Sequence, residues 1–178
     1  MSLLQTSDFV GAVSLSQNEF DAVKLQLYID RFEVRYLTDL LGCDMYDDFV
    51  ADLIPTPAVP TSAPTDAKFT AIFNPFCIDE QPDTGCQHVS EGIKEMLKFF
   101  IYFEWARDNQ YTMAITGATK NTFSNAEIAT IIETRATENY NLAIKTYQAI
   151  QWYIDDENPN NYDYSNYNGI RKGIISWL

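Results

Sequence analysis

The sequence has few of the residues from which most catalytic and metal sites are built. His88 is the single histidine among 178 residues, so a Ser-His-Asp triad would have to use it. No Gly-x-Ser-x-Gly elbow is present to hold a nucleophilic serine. A carboxylate-bridged di-metal bundle needs a Glu-x-x-His motif on each of two helices, which one histidine excludes. We therefore interpret His88 as a loop residue that hydrogen-bonds locally.

Motifs that bind phosphate or calcium are also absent from the sequence. It has no P-loop and no Gly-x-Gly-x-x-Gly, and neither Asp156 nor Asp163 has glycine at the sixth position of a calcium loop. We accordingly predict no catalytic residue, no cofactor and no metal. One alternative stays open: a small helical enzyme or ligand-binding bundle that uses acidic residues of the third and fourth helices, with Glu104 or Glu138 in a buried polar pocket.

Cysteine is scarce, and long hydrophobic runs are missing. The three cysteines, Cys43, Cys77 and Cys86, leave at least one unpaired and have no Cys-x-x-Cys spacing. Cys77 and Cys86 can meet across a hairpin, but we predict a reduced protein made in the cytoplasm. We expect no secretory signal, because residues 1–9 have no basic region followed by an apolar run, and the longest apolar run, 99–103, is far shorter than a membrane span.

The sequence also contains few basic residues. Only 12 lysines and arginines face 25 acidic residues, which gives a formal net charge of -13. Binding to a phosphate backbone requires cations that displace counterions, so such a surface repels nucleic acid. We expect no specific binding of DNA or RNA and no membrane partner.

The rest of the composition favours one globular helical domain. Hydrophobic residues make up 46% of the 178 positions, and a chain of this length can bury roughly 70% of its unfolded surface. We predict a mainly α fold: a helical bundle of about four helices with one long C-terminal helix, a small loop or hairpin insertion, and extended N- and C-terminal arms. The predicted segments are the N-terminal arm (1–15), helices 1 and 2 (16–54), a Pro-rich linker and insertion (55–89), helices 3 and 4 (90–156) and the C-terminal arm (157–178).

The longest helix is predicted over residues 124–154. Ser124 and Glu127 have the spacing of a capping box, and apolar residues then recur every three or four positions. At ~1.5 Å per residue this helix is roughly 46 Å long, whereas the radius of gyration of a compact domain of this size is roughly 13–16 Å. We therefore expect its ends to stand clear of a small core or to meet neighbouring subunits.

Three shorter helices follow from similar signals. A capping box that starts at Ser16 opens a helix over 17–41, which ends at Gly42. Asp44 then caps a short second helix. Ser90 opens a third helix that is apolar on nearly every face, so we predict that it forms the core.

The segment between the second and third helices carries weaker signals. Prolines in 55–64 predict an exposed linker. Residues 66–73 are predicted to form one or two helical turns. Residues 76–78 and 86–89 are predicted to pair as a small hairpin.

Candidate contact residues lie in loops and in the C-terminal arm. The connection over 110–123 contains a briefly extended stretch before a turn at Gly117, and the arm is rich in tyrosine, whose large ring and polar tip suit wet interfaces. The apolar end of the arm, 169–178, is expected to dock on its own core or on another subunit. The predicted interaction residues are Tyr111, Ile115, Tyr162, Tyr164, Tyr167, Ile174, Trp177 and Leu178.

A series of short motifs, in a characteristic order along the chain, spans about residues 20–154. Tyr36-Leu37-Thr38-Asp39-Leu40-Leu41-Gly42 is followed by Asp44-Met45-Tyr46-Asp47-Asp48-Phe49, an aromatic helix, a Thr116-Gly117 loop and a long helix with Arg135, Tyr140-Asn141 and Tyr147. This order resembles the helical head-to-tail connector proteins of tailed phages. It is most similar to uncharacterised virion proteins of crAss-like and other phages that infect Bacteroidetes.

The resemblance implies a non-enzymatic role in the virion. Such connectors form a ring, often of twelve copies, that joins the portal to the tail around the DNA channel. The implied partners are further copies of the chain, the portal protein, and tail or neck proteins, and an acidic lumen would let DNA pass without specific binding. The Pro-rich segment 55–65 and the insertion up to residue 88 depart from the simplest connectors and leave open which surface meets the portal.

Overall fold

The computed structural model describes residues 2–13, 22–53, 63–78, 88–109, 111–114, 117–120, 126–157, 162, 170 and 172–174. These residues are mainly helical, which confirms the predicted fold class. The elements are α1 (Ala22–Asp52), α2 (Ala67–Phe73), β1 (Phe76–Ile78), β2 (His88–Ser90), α3 (Ile93–Asn109), β3 (Tyr111–Ala114), β4 (Gly117–Lys120) and α4 (Ala126–Trp152). Two short 3₁₀ turns precede α1, and a π-helical turn, Tyr153–Glu157, extends α4. In this part of the chain, no helix is long and apolar enough to cross a membrane.

Helix α1 contains a corner at Gly42, as the sequence predicts. Gly42 has φ 77° and ψ 170°, a left-handed conformation that favours glycine, and the backbone is helical on both sides of it. Leu40 and Leu41 before the corner and Phe49 after it are buried, so both segments pack into the core. The predicted start of this helix, near residue 17, lies outside the described residues.

Helix α2 has two turns, at the upper end of the predicted length. The Asp66 side chain caps its N-terminus. Asp52, at the end of α1, accepts from the amides of Thr65 and Asp66 at 2.8 and 2.9 Å, and so holds the start of α2 against α1. Phe69 then packs edge-on against Phe49, with 5.3 Å between ring centroids.

Strands β1 and β2 form the predicted hairpin, in antiparallel register with Phe76 opposite Ser90. Because the strand reaches Ser90, the prediction that Ser90 opens the third helix is wrong. The Ser90 hydroxyl instead accepts from the Gly92 amide at 3.1 Å, and α3 begins at Ile93. Gly92 has φ 85°, and a Cβ at this position would lie 2.5 Å from the carbonyl oxygen of Phe73.

The oxidation state of the cysteines differs from the prediction. Cys77, in β1, is disulfide-bonded, so the expectation of a fully reduced protein is wrong. Cys43 is free and exposed. The third cysteine, Cys86, lies outside the described residues.

Helix α3 is the central helix, as its apolar faces predict. It packs against both α1 and α4. Phe100 of α3 stacks on Tyr36 of α1 with 4.1 Å between ring centroids, and it lies edge-on to Tyr147 of α4 at 6.2 Å. The buried residues of α3 are Ile93, Met96, Leu97, Phe100, Ile101, Tyr102, Phe103, Glu104, Trp105 and Ala106.

The connection between α3 and α4 contains a second hairpin. Strand β3 pairs with β4 in antiparallel register, from Tyr111 opposite Lys120 to Ala114 opposite Gly117. Only two residues separate the paired Ala114 and Gly117, which agrees with the predicted extended stretch before a turn. The predicted capping box at Ser124 lies outside the described residues.

The C-terminal half of α4 lies in the core. Ala143, Ile144, Tyr147 and Ile150 are fully buried, and Ile154 in the following π-helical turn is 1% exposed. The expectation that the ends of this helix stand clear of the core is therefore wrong for its C-terminal end.

Candidate interaction surface

The N-terminal arm, residues 2–13, lies against the helical core. The Gly11 carbonyl oxygen accepts from the Arg135 side chain of α4 at 2.8 Å. Asp8 and Lys94 form an ion pair at 3.4 Å. The arm therefore packs on its own chain and does not protrude. Its buried apolar side chains are Leu3, Leu4, Phe9 and Val13.

Glu33 of α1 binds the start of this arm. Its carboxylate accepts from the Leu3 amide at 2.8 Å, from the Leu4 amide at 3.2 Å and from the Ser2 hydroxyl at 2.8 Å. Burial raises the pKa of Glu33, although these three donors favour its ionised form. A buried carboxylate on a helix thus satisfies the backbone of a segment about thirty positions away.

The C-terminal arm also contacts its own chain. Tyr162 is buried, and its hydroxyl donates to the Lys68 carbonyl oxygen of α2 at 2.5 Å. Burial raises the pKa of Tyr162. This tyrosine, predicted as an interaction residue, is therefore part of the core in the single chain.

Lys172 occupies a pocket between α1 and α4, which we call the lysine clamp and define by Tyr36, Asp39 and Tyr147. The Lys172 ammonium lies 2.7 Å from the Asp39 carboxylate. It also lies 5.0 Å from the centroid of the Tyr36 ring and 5.6 Å from that of Tyr147, distances typical of cation–π contacts. The two charged side chains are only 13% and 18% exposed, so water and salt screen the attraction weakly.

The backbone around Lys172 is held as well as the side chain. The Ile170 amide donates to the Asp39 carbonyl oxygen at 3.1 Å, and the Tyr147 hydroxyl donates to the same oxygen at 2.7 Å. The Gln148 side chain donates to the Lys172 carbonyl oxygen at 2.8 Å. The Gln151 side chain donates to the Ile170 carbonyl oxygen at 3.5 Å. The tail is thus bound through three main-chain groups and one side chain, as peptides are bound in grooves.

An exposed apolar stripe runs along the outer face of α1. Val23, Leu27 and Val34 are 74%, 64% and 46% exposed. Spacings of four and seven residues place them on one side of a helix. We call these three residues the outer stripe. The other large exposed apolar side chains in the described part of the chain are Val10, Val89, Leu142, Ile170 and Ile174.

Glu104 is one of the two residues that the alternative enzyme function would place in a buried polar pocket. One carboxylate oxygen accepts from the Tyr36 hydroxyl at 2.7 Å, and the other pairs with Arg107. Burial and this carboxylate raise the pKa of Tyr36. Glu138 is exposed on α4, so the two carboxylates do not share a pocket. Within the described residues, no group of three or more His, Cys, Asp and Glu side chains is placed to hold a metal ion.

His88 lies in β2, so its prediction as a loop residue is wrong. Its ring stacks on Trp152 at the end of α4, with 4.4 Å between centroids and 8° between the planes. The histidine thus joins the β1–β2 hairpin to the long helix.

The other predicted interaction residues fall into three groups. Ile174 is 56% exposed. The backbone of Tyr111 pairs with that of Lys120 in the second hairpin. Five predicted residues lie outside the described part of the chain: Ile115, Tyr164, Tyr167, Trp177 and Leu178.

Sequence analysis missed both carboxylates that hold the arms, Glu33 and Asp39. Each occupies an ordinary helical position, and its partners lie far along the chain: two backbone amides and a hydroxyl for Glu33, and the Lys172 side chain for Asp39. The only signal for the lysine clamp is a pair of cations, Arg171 and Lys172, in a strongly acidic chain.

Comparisons with known proteins found no relative of this chain. No protein-family model, no curated protein and no solved structure matches the chain. The function is therefore argued from the residues described above and from the resemblance in motif order.

Proposed function

We propose that this chain is a non-enzymatic structural protein of a phage virion, a subunit of the head-to-tail connector ring that joins the portal to the tail around the DNA channel. The observation that carries the proposal is the outer stripe. It consists of apolar side chains that face water on the helix which also contains the motif residues 36–49 of the connector resemblance. Apolar residues aligned on one exposed face favour contact with another protein.

The charge of the chain fits this role. The formal net charge of -13 disfavours adhesion to DNA. A ring lined by such subunits lets DNA pass through its channel without holding it. Contacts with other copies, with the portal and with tail or neck proteins then depend on apolar and local polar surfaces.

The surroundings of Glu104 favour the structural role over the alternative of an enzyme or ligand-binding bundle. The carboxylate is bound on both oxygens by side chains of its own chain, Tyr36 and Arg107. On the same helix, Phe100 and Phe103 pack against the Tyr140 ring of α4. These contacts within one chain give Glu104 a role in holding α1 to α3, although the oxygen that pairs with Arg107 makes no hydrogen bond within the part of the chain that the structure describes.

The test is binding of the full-length chain to the portal protein and to the tail and neck proteins of the same virion. We expect a complex of ring size with the portal protein, measured by size-exclusion chromatography with light scattering. The same preparation should not shift duplex DNA in a gel at physiological salt. A full-length chain that binds none of these virion proteins would refute the proposal.

A pair of variants tests whether the outer stripe is the contact. Leu27→Asp places a charge in the stripe and should weaken the complex at least tenfold. Val89→Asp is the matched control, because Val89 is an exposed valine on β2, outside the stripe. Equal binding by both variants would remove the outer stripe from the interface.

A further inference from the structure

The outer face of α1 combines apolar and cationic side chains at a regular spacing. We call the cationic seam four exposed residues at steps of three, four and three positions: Lys24, Leu27, Arg31 and Val34. The backbone of α1 is helical over all of them. Steps of three and four residues therefore place these side chains in one line along the helix, as in the contact line of a coiled coil.

The seam is positively charged on a strongly acidic chain. Its two cations and the adjacent Arg35, which is also exposed, belong to the 12 lysines and arginines of a chain whose formal net charge is -13. Over this fully described part of α1, Asp30 is the one exposed carboxylate, since Glu33 is buried. At physiological ionic strength, exposed charges farther away than about 8 Å are largely screened. A bound segment therefore responds to these cations more than to the distant acidic surface.

The Arg31 side chain is restrained before any partner binds. Its guanidinium carbon lies 5.3 Å from the centroid of the buried Phe32 ring. That ring stacks in turn on Tyr28, with 5.7 Å between centroids. A cation that already packs on an aromatic ring loses less conformational freedom on binding. The guanidinium offers a planar fork of donors, which matches a carboxylate.

The spacing and charge of the seam indicate the chemistry of its partner. The apolar positions favour apolar side chains on a facing helix, and cations within the contact line favour carboxylates. Face-to-face contact with a second copy is disfavoured, because it would bring cations against cations. Duplex DNA is anionic as well, but its phosphate backbone offers no apolar row to Leu27 and Val34.

We propose that the cationic seam binds an acidic amphipathic helix of another protein, in which apolar residues alternate with Glu or Asp at the same steps of three and four. The seam spans roughly 15 Å of α1, so about three turns of the partner helix match it. Leu27 and Val34 belong to the outer stripe as well. The inference therefore rests on the proposed function and names the chemistry of the partner at that surface.

The test uses the full-length chain and two synthetic helical peptides as probes. Both peptides carry leucines at the same spacing, but one has glutamates between them and the other has lysines. Fluorescence anisotropy at physiological salt should show at least tenfold tighter binding of the glutamate peptide. The net charge of -13 favours the opposite order. Preference for the lysine peptide, equal binding, or no binding by either peptide would refute the proposal.

A charge-reversal variant tests whether the preference arises at the seam. Arg31→Glu combined with Arg35→Glu should reverse the order, so that the lysine peptide binds at least tenfold more tightly than the glutamate peptide. Lys145→Glu is the matched control, because it reverses an exposed cation on α4, and it should keep the original preference. A preference that survives the reversal at the seam, or that the control abolishes to the same extent, would assign recognition to another surface.

Two other anionic partners are tested by competition. Duplex DNA and vesicles that contain phosphatidylglycerol are each added to the complex of the chain with the glutamate peptide. We expect neither to displace the peptide at physiological salt. Displacement by either one would overturn the assignment of a protein partner.

The outcomes distinguish this inference from the proposed function. A chain that prefers the glutamate peptide but binds no virion protein retains the seam as a docking site and loses the connector function. A chain that binds the portal protein but shows no preference between the peptides retains the function and loses the acidic helix as its partner.

Discussion

Replacing Glu33 with alanine should release the N-terminal arm and leave the helical core folded. The substitution removes the acceptor of the Leu3 and Leu4 amides and of the Ser2 hydroxyl. Hydrogen bonds to a charged group contribute about 1.5–3 kcal/mol each. The three bonds therefore set an upper limit of about 4.5–9 kcal/mol for the loss, and the net loss is smaller because a released arm regains hydrogen bonds with water.

Two measurements detect the release of the N-terminal arm. A loss of ~3 kcal/mol should lower the melting temperature by roughly 6–12 °C for a chain of this size. Hydrogen exchange of residues 2–13 should become faster by on the order of a hundredfold, while α3 keeps its protection. Asp30→Ala, which removes an exposed side-chain contact with Gln26 on the same helix, should leave the arm protected. An arm that stays protected in Glu33→Ala would refute the role of this carboxylate.

The contribution of Glu33 to the stability of the fold should change with pH in a defined direction. Burial raises its pKa in the folded protein above the ordinary value of 4.5, so the folded state holds this proton more tightly than the unfolded state. Between these two pKa values stability rises as the pH falls. The stability difference between the unsubstituted chain and Glu33→Ala should therefore widen on acidification through this window. A difference that narrows there would contradict the reasoning.

Three further predictions concern the core and the backbone. Tyr36→Phe removes the hydrogen-bond donor to the buried Glu104 carboxylate, which then keeps only its ion pair with Arg107, and should cost about 1–3 kcal/mol in urea unfolding. Gly92→Ala should destabilise more than Gly11→Ala in the same assay; both glycines have positive φ, but only at position 92 would a Cβ meet a carbonyl oxygen, whereas the space at position 11 is open. Equal losses would refute the steric argument. Partial burial of Asp52 opposes its ionisation, but hydrogen bonds from the adjoining loop outweigh it and lower its pKa below 3.8. Stability from Asp52 is therefore lost as the pH falls through that lowered pKa, and Asp52→Asn should flatten the acid limb of the stability curve.

Local signals predicted the helices well. Gly42 marks a corner because its backbone adopts positive φ, and α3 is central because nearly every face of it is apolar. Asp66 caps a short helix in the segment where one or two turns were expected. These features depend on residues close in sequence, so composition and spacing predict them.

The limits of neighbouring elements were less predictable. Ser90 has the composition of a helix cap, but backbone pairing with Phe76 takes it into a strand. The predicted hairpin thus continues past its expected end at position 89 and includes the residue that was expected to open the third helix.

The interaction surface was the least predictable part. Tyr162 was expected to contact another protein, because tyrosine in a polar tail suits interfaces, but its ring and hydroxyl both find partners in its own chain. The contact between Asp39 and Lys172 joins positions 133 residues apart. Neither residue type nor spacing indicates such a pair, since it depends on how α1 and α4 lie beside each other.

Helix α1 holds both ends of the described chain. Glu33 binds residues 2–4 and Asp39 binds residues 170–172, at positions separated by roughly 9 Å along the helix axis. Local melting of this one helix would remove the Glu33 contacts of one terminus and the Asp39 contacts of the other at the same time. Any opening of α1 should therefore loosen both terminal segments together, although either segment can also detach while α1 stays folded.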